Sequence, residues 1–270
     1  MNDRAPGTPL APGEAVDAAR LDRLGLLQAG EGCVISPMAV FIPVDAAGTV
    51  RPVELGHGCQ IGPFTVVCGG TRVRDGARLE ERVTVGRPEQ GYAVGRVYPG
   101  AGAETVIGAG AVIRAGAVLY AGTRVGQETV VGHNTLLRSF VAVGDGTQLG
   151  HNLTVERATR IGDLVRCSPG SHITSSCVLE DRVFLGAGVR TVNDKDMTWR
   201  DPRGRQPELV PPVFRTWACV GTGSVVLAGV SVGEHALVGS GSVVTRDIPP
   251  WTVAFGSPAR VVRTIGRELE

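Results

Sequence analysis

Across 270 residues the chain carries a net charge of only +1, a balance that argues against nucleic acid or an anionic membrane surface as its partner. No apolar run approaches the roughly 20 residues of a membrane-crossing helix, and residues 1–10 lack a secretory-signal core, so the chain reads as cytoplasmic. With 39 glycines and 4% aromatic residues, it suits a repetitive structure of tight corners and narrow aliphatic core better than a globular α/β enzyme.

In chain order, residues 1–32 are rich in Ala, Pro and Gly, with a weakly amphipathic piece over 15–28, and read as a tail with a short helix. Residues 33–52 are β-rich but off register, and are expected to form an imperfect first coil that shields the open end of the repeat region. From Leu55 an apolar residue recurs every six positions, through Ile61, Val67, Val73, Leu79 and Val85. The beat breaks at Gly86-Arg87-Pro88, predicting an inserted loop near 87–105. It then runs without slip through Ile107, Ile113, Leu119, Val125, Val131, Leu137, Val143, Leu149, Val155, Ile161, Cys167, Ile173, Leu179 and Leu185. A second insertion near 193–216 holds Trp199, Arg200, Arg203, Arg205 and Arg215, and the beat resumes at Val220, Val226, Val232, Val238 and Val244. Residues 250–270 read as a C-terminal tail.

A period of six fits neither a helix nor a simple alternating strand. It fits a short strand followed by a corner, three such units closing one triangular coil whose first positions share an interior column. The fourth position supports this, because Gly110, Gly116, Gly122, Asn134, Gly146, Asn152, Gly170 and Gly188 tolerate the positive φ of a tight corner. Phe140 and Leu164 are exceptions. The counted units give roughly eight coils and a shaft about 40 Å long at ~4.8 Å per coil. The six cysteines, Cys33, Cys59, Cys68, Cys167, Cys177 and Cys219, show no CxxC spacing and read as reduced thiols, several of them in the core. A smooth prism offers little concavity, so function is expected where the rhythm is interrupted or where prisms pack.

The beat resembles that of the hexapeptide-repeat acyltransferases. That resemblance implies an all-β, left-handed parallel β-helix over 33–249, acyl transfer, and a homotrimer with its site between subunits. The segment VGSGSVVTRDIPPWTVAFGSPARVVR, residues 238–263, is similar to the terminal segment of family members that bind acetyl-CoA. Carried over by position, Thr222, Ser240 and Thr245 would meet the pantetheine arm, and Arg260 and Arg263 the nucleotide phosphates, where a guanidinium matches phosphate in bidentate fashion. The second insertion opens on Thr191-Val192-Asn193-Asp194-Lys195, without the His that acts as general base in the galactoside and streptogramin branches. It resembles instead the branch that acetylates amino groups of nucleotide-linked deoxyamino sugars, so the expected partner is a small-molecule acceptor bearing an amine. A neutral amine already presents a lone pair, so an orienting Asn193 or Asp194 could suffice; Asp194 reads equally as a turn former.

His133 and His151 stack eighteen residues apart, and His133 is kept as a candidate base; His172 and His235 carry no further argument. Asp145, Asp163 and Asp181 stack likewise and read as a solvated edge. Three other readings stay open: an acetyltransferase for another amine or a hydroxyl acceptor in specialised metabolism, a γ-type carbonic anhydrase, for which the histidine spacing lacks the close pair a zinc site needs, and a scaffold with a decayed site. No resident metal is expected.

Overall fold

The computed structural model describes residues 10–45, 48–90, 103–196 and 208–266. The chain is all-β, a left-handed parallel β-helix. Successive strands go in turn to three parallel sheets, termed here faces I, II and III in chain order, and each coil adds one strand to each face. Two-residue strands such as Val130–Val131 and Gln148–Leu149 pair in register, with Val131 opposite Leu149. Each first-position side chain therefore sits directly over the one eighteen residues away. The column is dry: Val131 and Val155 are fully buried and Val143 is 5% exposed.

Every fourth position from Gly110 to Gly188 has positive φ, including Phe140 at 63° and Leu164 at 54°. The corner geometry thus overrides residue preference at a local cost of about 1–2 kcal/mol for a side chain in this region. Fifth-position hydroxyls explain the small and β-branched residues there. Thr147 Oγ1 donates to Gly162 O at 2.8 Å and accepts from Val165 N at 3.0 Å, stitching one coil to the next inside the corner. Second-position glycine reflects close approach: a Cβ on Gly132 would lie 2.3 Å from Gly150 O. The aspartates of the I–II edge do the same stitching, since Asp163 Oδ1 accepts from Asp145 N at 2.7 Å and Asp181 Oδ1 from Asp163 N at 2.9 Å. They are hydrogen-bonding rungs rather than a merely solvated row.

Among the described residues each face supplies ten coil strands, which makes ten coils rather than eight. Five strands lie outside the counted beat, three of them before Leu55, where the count began, and two beside the second insertion. Leu27–Ala29, Val34–Ile35 and Val40–Ile42 form a regular first coil, in which Ala29, Ile35 and Phe41 continue the six-residue beat. The solenoid therefore starts at Leu27, inside the stretch assigned to the tail, after a short helix at Ala18–Arg23. The other two, Arg190–Thr191 and Val213–Phe214, flank the second insertion. At the far end, Thr252–Gly256 and Ala259–Thr264 form an antiparallel hairpin that extends face II, so strand pairing continues into the predicted C-terminal tail.

Both insertions leave the prism at one edge. The first follows the face III strand Thr84–Arg87 and returns at the face I strand Thr105–Ile107; the second follows Arg190–Thr191 on face III and returns at Val213–Phe214 on face I. Five coils, about 24 Å at ~4.8 Å each, separate their points of departure along this III–I edge.

Candidate functional site

The second insertion opens as a short stem. Val210 N donates to Asn193 O at 2.7 Å, and Asp194 bridges Leu209 in antiparallel fashion. Asn193 Nδ2 donates to Ser175 Oγ at 2.8 Å, tying the stem to the corner one coil earlier. Asp194 Oδ1 accepts from Asp196 N at 2.9 Å, the local geometry of a turn former. Trp199, Arg200, Arg203 and Arg205 lie outside the described residues. Arg215 does not face the stem; it pairs at 2.8 Å with Glu180 on the I–II edge, where Thr216 N also donates to Glu180 at 2.9 Å.

Between the two insertions the III–I edge carries a charge network that periodicity did not reveal. Glu89, just past the first break, is 4% exposed and receives both the Arg138 guanidinium and, at 3.1 Å, Ser139 N. Arg138 also pairs with Glu156 on the next coil, and His172 Nε2 lies 3.7 Å from the other Glu156 oxygen. Burial alone would make Arg138 easier to deprotonate; its hydrogen bond to Glu89 and the charges of Glu156 and Glu89 more than reverse this. The Glu156 carboxyl is held below the usual carboxylate range by its interaction with His172, against burial, and by Arg138. The only sequence signal was vertical: Arg138, Glu156 and Thr174 occupy the same corner position on successive coils.

The other candidates lie elsewhere. His133 and His151 sit on the II–III edge with ring centroids 5.0 Å apart, and His151 Nδ1 accepts from His133 N at 3.0 Å. Within one chain His133 is therefore not brought to Asn193 and Asp194, which stand on the III–I edge three coils further along. Thr222 and Ser240 share the II–III edge, one coil apart, and Gly241 N donates to Thr222 O at 2.8 Å. Thr245, following Val243–Val244 of face III, stands on the III–I edge instead. Arg260 and Arg263 are exposed on the terminal hairpin strand, and among the described residues neither meets a carboxylate. Face III thus lies between the two edges that carry the candidates, and His172 faces outward upon it, flanked in register by Thr154 and Arg190.

No protein-family model matches the chain. Over 49 residues it is 51% identical to a dTDP-3-amino-3,6-dideoxy-alpha-D-galactopyranose 3-N-acetyltransferase of Aneurinibacillus thermoaerophilus, a match covering 18% of this chain and 26% of that protein. The chain is similar to the hexapeptide-repeat acetyltransferases. It spans about a quarter of the length of the curated relatives it matches. Among solved structures, a hexapeptide-repeat acetyltransferase of Vibrio cholerae complexed with acetyl coenzyme A is 25% identical, with 45% of this chain and 72% of that one covered and a TM-score of 0.30. An Arabidopsis UDP-N-acetylglucosamine acyltransferase is 17% identical over 87% of this chain and 73% of that one, with a TM-score of 0.48.

Neither Cys68 nor Cys167 is suited to act as a thiol nucleophile. The six cysteines are unpaired, and burial pushes Cys68 up to about 11 and Cys167 up to about 12, so neither presents a thiolate near neutrality. Among the described residues no group of three or more His, Cys, Asp or Glu could hold a metal ion, and no helix is long and apolar enough to cross a membrane. A cavity of about 340 Å³ opens on the III–I edge near the N-terminal end, lined in part by Arg51, Cys68, Gly86 and Arg87. None of the residues singled out for catalysis or donor binding lines it.

Proposed function

We propose that this chain is an acetyl-CoA-dependent N-acetyltransferase acting on an amino group of a nucleotide-linked amino sugar. One observation carries the reading: the 51% identity to an N-acetyltransferase for a dTDP-linked amino sugar, over 49 residues. The geometry is consistent with it. Asn193, fixed through Nδ2 to Ser175, has no hydrogen bond to Oδ1 among the described residues, which leaves an acceptor to orient an amine. Asp194 shapes the stem beside it. Acetyl-CoA is the donor; Thr222, Ser240 and Thr245 would meet its pantetheine arm, and Arg260 and Arg263 its phosphates.

The reaction asks little of the protein beyond placement and one proton transfer. The amine lone pair attacks the thioester carbonyl, a C–N bond forms, the C–S bond breaks, and the proton left on nitrogen must be removed. His133, on another edge and three coils earlier within the chain, would join Asn193 only if a neighbouring copy supplied one of them, as in a homotrimer. The test is a screen of nucleotide-linked amino sugars and simple amines with acetyl-CoA, following thiol release. Release with an amino sugar and none with its hydroxyl counterpart is expected; release with hydroxyl acceptors alone would overturn the reading.

A further inference from the structure

We infer that His172 takes the proton released as the acceptor amine attacks the thioester, and that Glu156 positions it for this. The inference rests on the N-acetyltransferase reading above and adds to it a base that does not belong to the second insertion. Nε2 of His172 is 3.7 Å from Glu156 Oε1, while Oε2 of the same carboxylate is engaged by Arg138, itself fixed by Glu89. A neutral imidazole has one nitrogen that donates and one that accepts. A carboxylate facing Nε2 selects the Nε2–H tautomer and leaves Nδ1 with its lone pair; among the described residues nothing is hydrogen-bonded to Nδ1 of His172.

The other histidines are differently employed. His57 Nδ1 accepts from Glu31 N at 3.1 Å, and His151 Nδ1 from His133 N at 3.0 Å. His235 is stacked against Trp251 and Trp217, at 3.9 and 5.8 Å between ring centroids. His133 lies against His151, and among the described residues no carboxylate pairs with it. Among the described residues His172 alone combines a carboxylate with a ring nitrogen that has no partner, and it stands on face III one coil before the strand that leads into the Asn193 stem. Its own carbonyl accepts from Thr191 Oγ1 at 3.3 Å, fixing the backbone beneath it.

In the step assigned, the amine nitrogen bonds to the carbonyl carbon, its surplus proton passes to Nδ1, and the C–S bond breaks to release coenzyme A as thiolate. The imidazolium then returns its proton to the thiolate or to water. Among the described residues, Glu156 faces the ring, Arg138 pairs with Glu156 on the corner side, and Arg190 stands in register on the next strand.

His172→Gln is expected to lower kcat about 100-fold, the low end of what a positioned base contributes, with both KM values within twofold, and to remove the acidic limb of the pH profile. Glu156→Gln should keep part of the rate, because the base remains while the carboxylate that selects its tautomer is lost. A His172→Gln enzyme with kcat within threefold of wild type and its acidic limb intact overturns the inference. Imidazole ¹⁵N shifts test the pairing without turnover: the wild-type chain should show the Nε2–H tautomer above the limb and Glu156→Gln a mixture, whereas an Nδ1–H tautomer in wild type is contrary. If wild type acetylates no amine, the N-acetyltransferase reading fails and the catalytic assignment with it, while the tautomer still decides the pairing.

Discussion

Thr191 Oγ1 accepts a hydrogen bond of 2.7 Å from Thr174 N and donates one of 3.3 Å to His172 O, although its position belongs to the aliphatic column. A polar residue stands in the core where the chain is about to leave it. Thr191→Val would fit the column but strand the Thr174 N–H, at a cost of about 1–3 kcal/mol for an unsatisfied buried group. Urea unfolding should show the loss; a variant as stable as wild type would mean that water or a shifted backbone replaces the bond.

Glu89 and Arg138 clamp the start of the first insertion to a coil two steps along the shaft. Arg138→Met leaves Glu89, 4% exposed, without its cation, and breaking a buried pair on one side costs about 3–5 kcal/mol. Limited proteolysis should then cut near residues 90–103 well before the coils are lost. An unchanged cleavage pattern would show that the clamp is dispensable.

Glu156 predicts a pH dependence of stability. Its folded pKa lies below the ordinary 4.5, so its contribution is present above the unfolded value and is surrendered as pH falls through the folded one. The stability gap between wild type and Glu156→Gln should therefore be full at pH 7 and close as pH drops below about 4. A gap that is constant between pH 7 and pH 3, read from urea midpoints, would contradict it.

Cys59, Cys167 and Cys177 are fully or almost fully buried, whereas Cys33 and Cys219 are partly exposed. Native protein should give up Cys33 and Cys219 to a maleimide first, the others reacting only on unfolding. Rapid labelling of Cys167 would imply that the column opens readily.

Most of the shaft was legible because burial, corner geometry and strand pairing all repeat at the same interval. Val131, Val143 and Val155 follow from that interval alone. Phe41, Thr191 and Phe214 did not, since the interior accepts any residue of fitting volume whose polar atoms are satisfied, and an aliphatic filter discards them. The site was less legible, for a topological reason. Residues six apart go to successive edges and residues eighteen apart share one, so His133 and Asn193 look comparable in sequence yet stand on different edges. Glu89 reaches Arg138 across 49 positions through an insertion with no period, and nothing in the spacing could pair them.

The most direct measurement is steady-state thiol release from acetyl-CoA with nucleotide-linked amino sugars, for wild type and for a variant carrying Asn193→Ala and Asp194→Ala. Amine-dependent release by wild type, reduced at least 100-fold in the variant with its circular dichroism unchanged, is the predicted result. Equal rates in the two proteins would contradict the role given to Asn193 and Asp194, and no release with any amine would contradict the N-acetyltransferase reading.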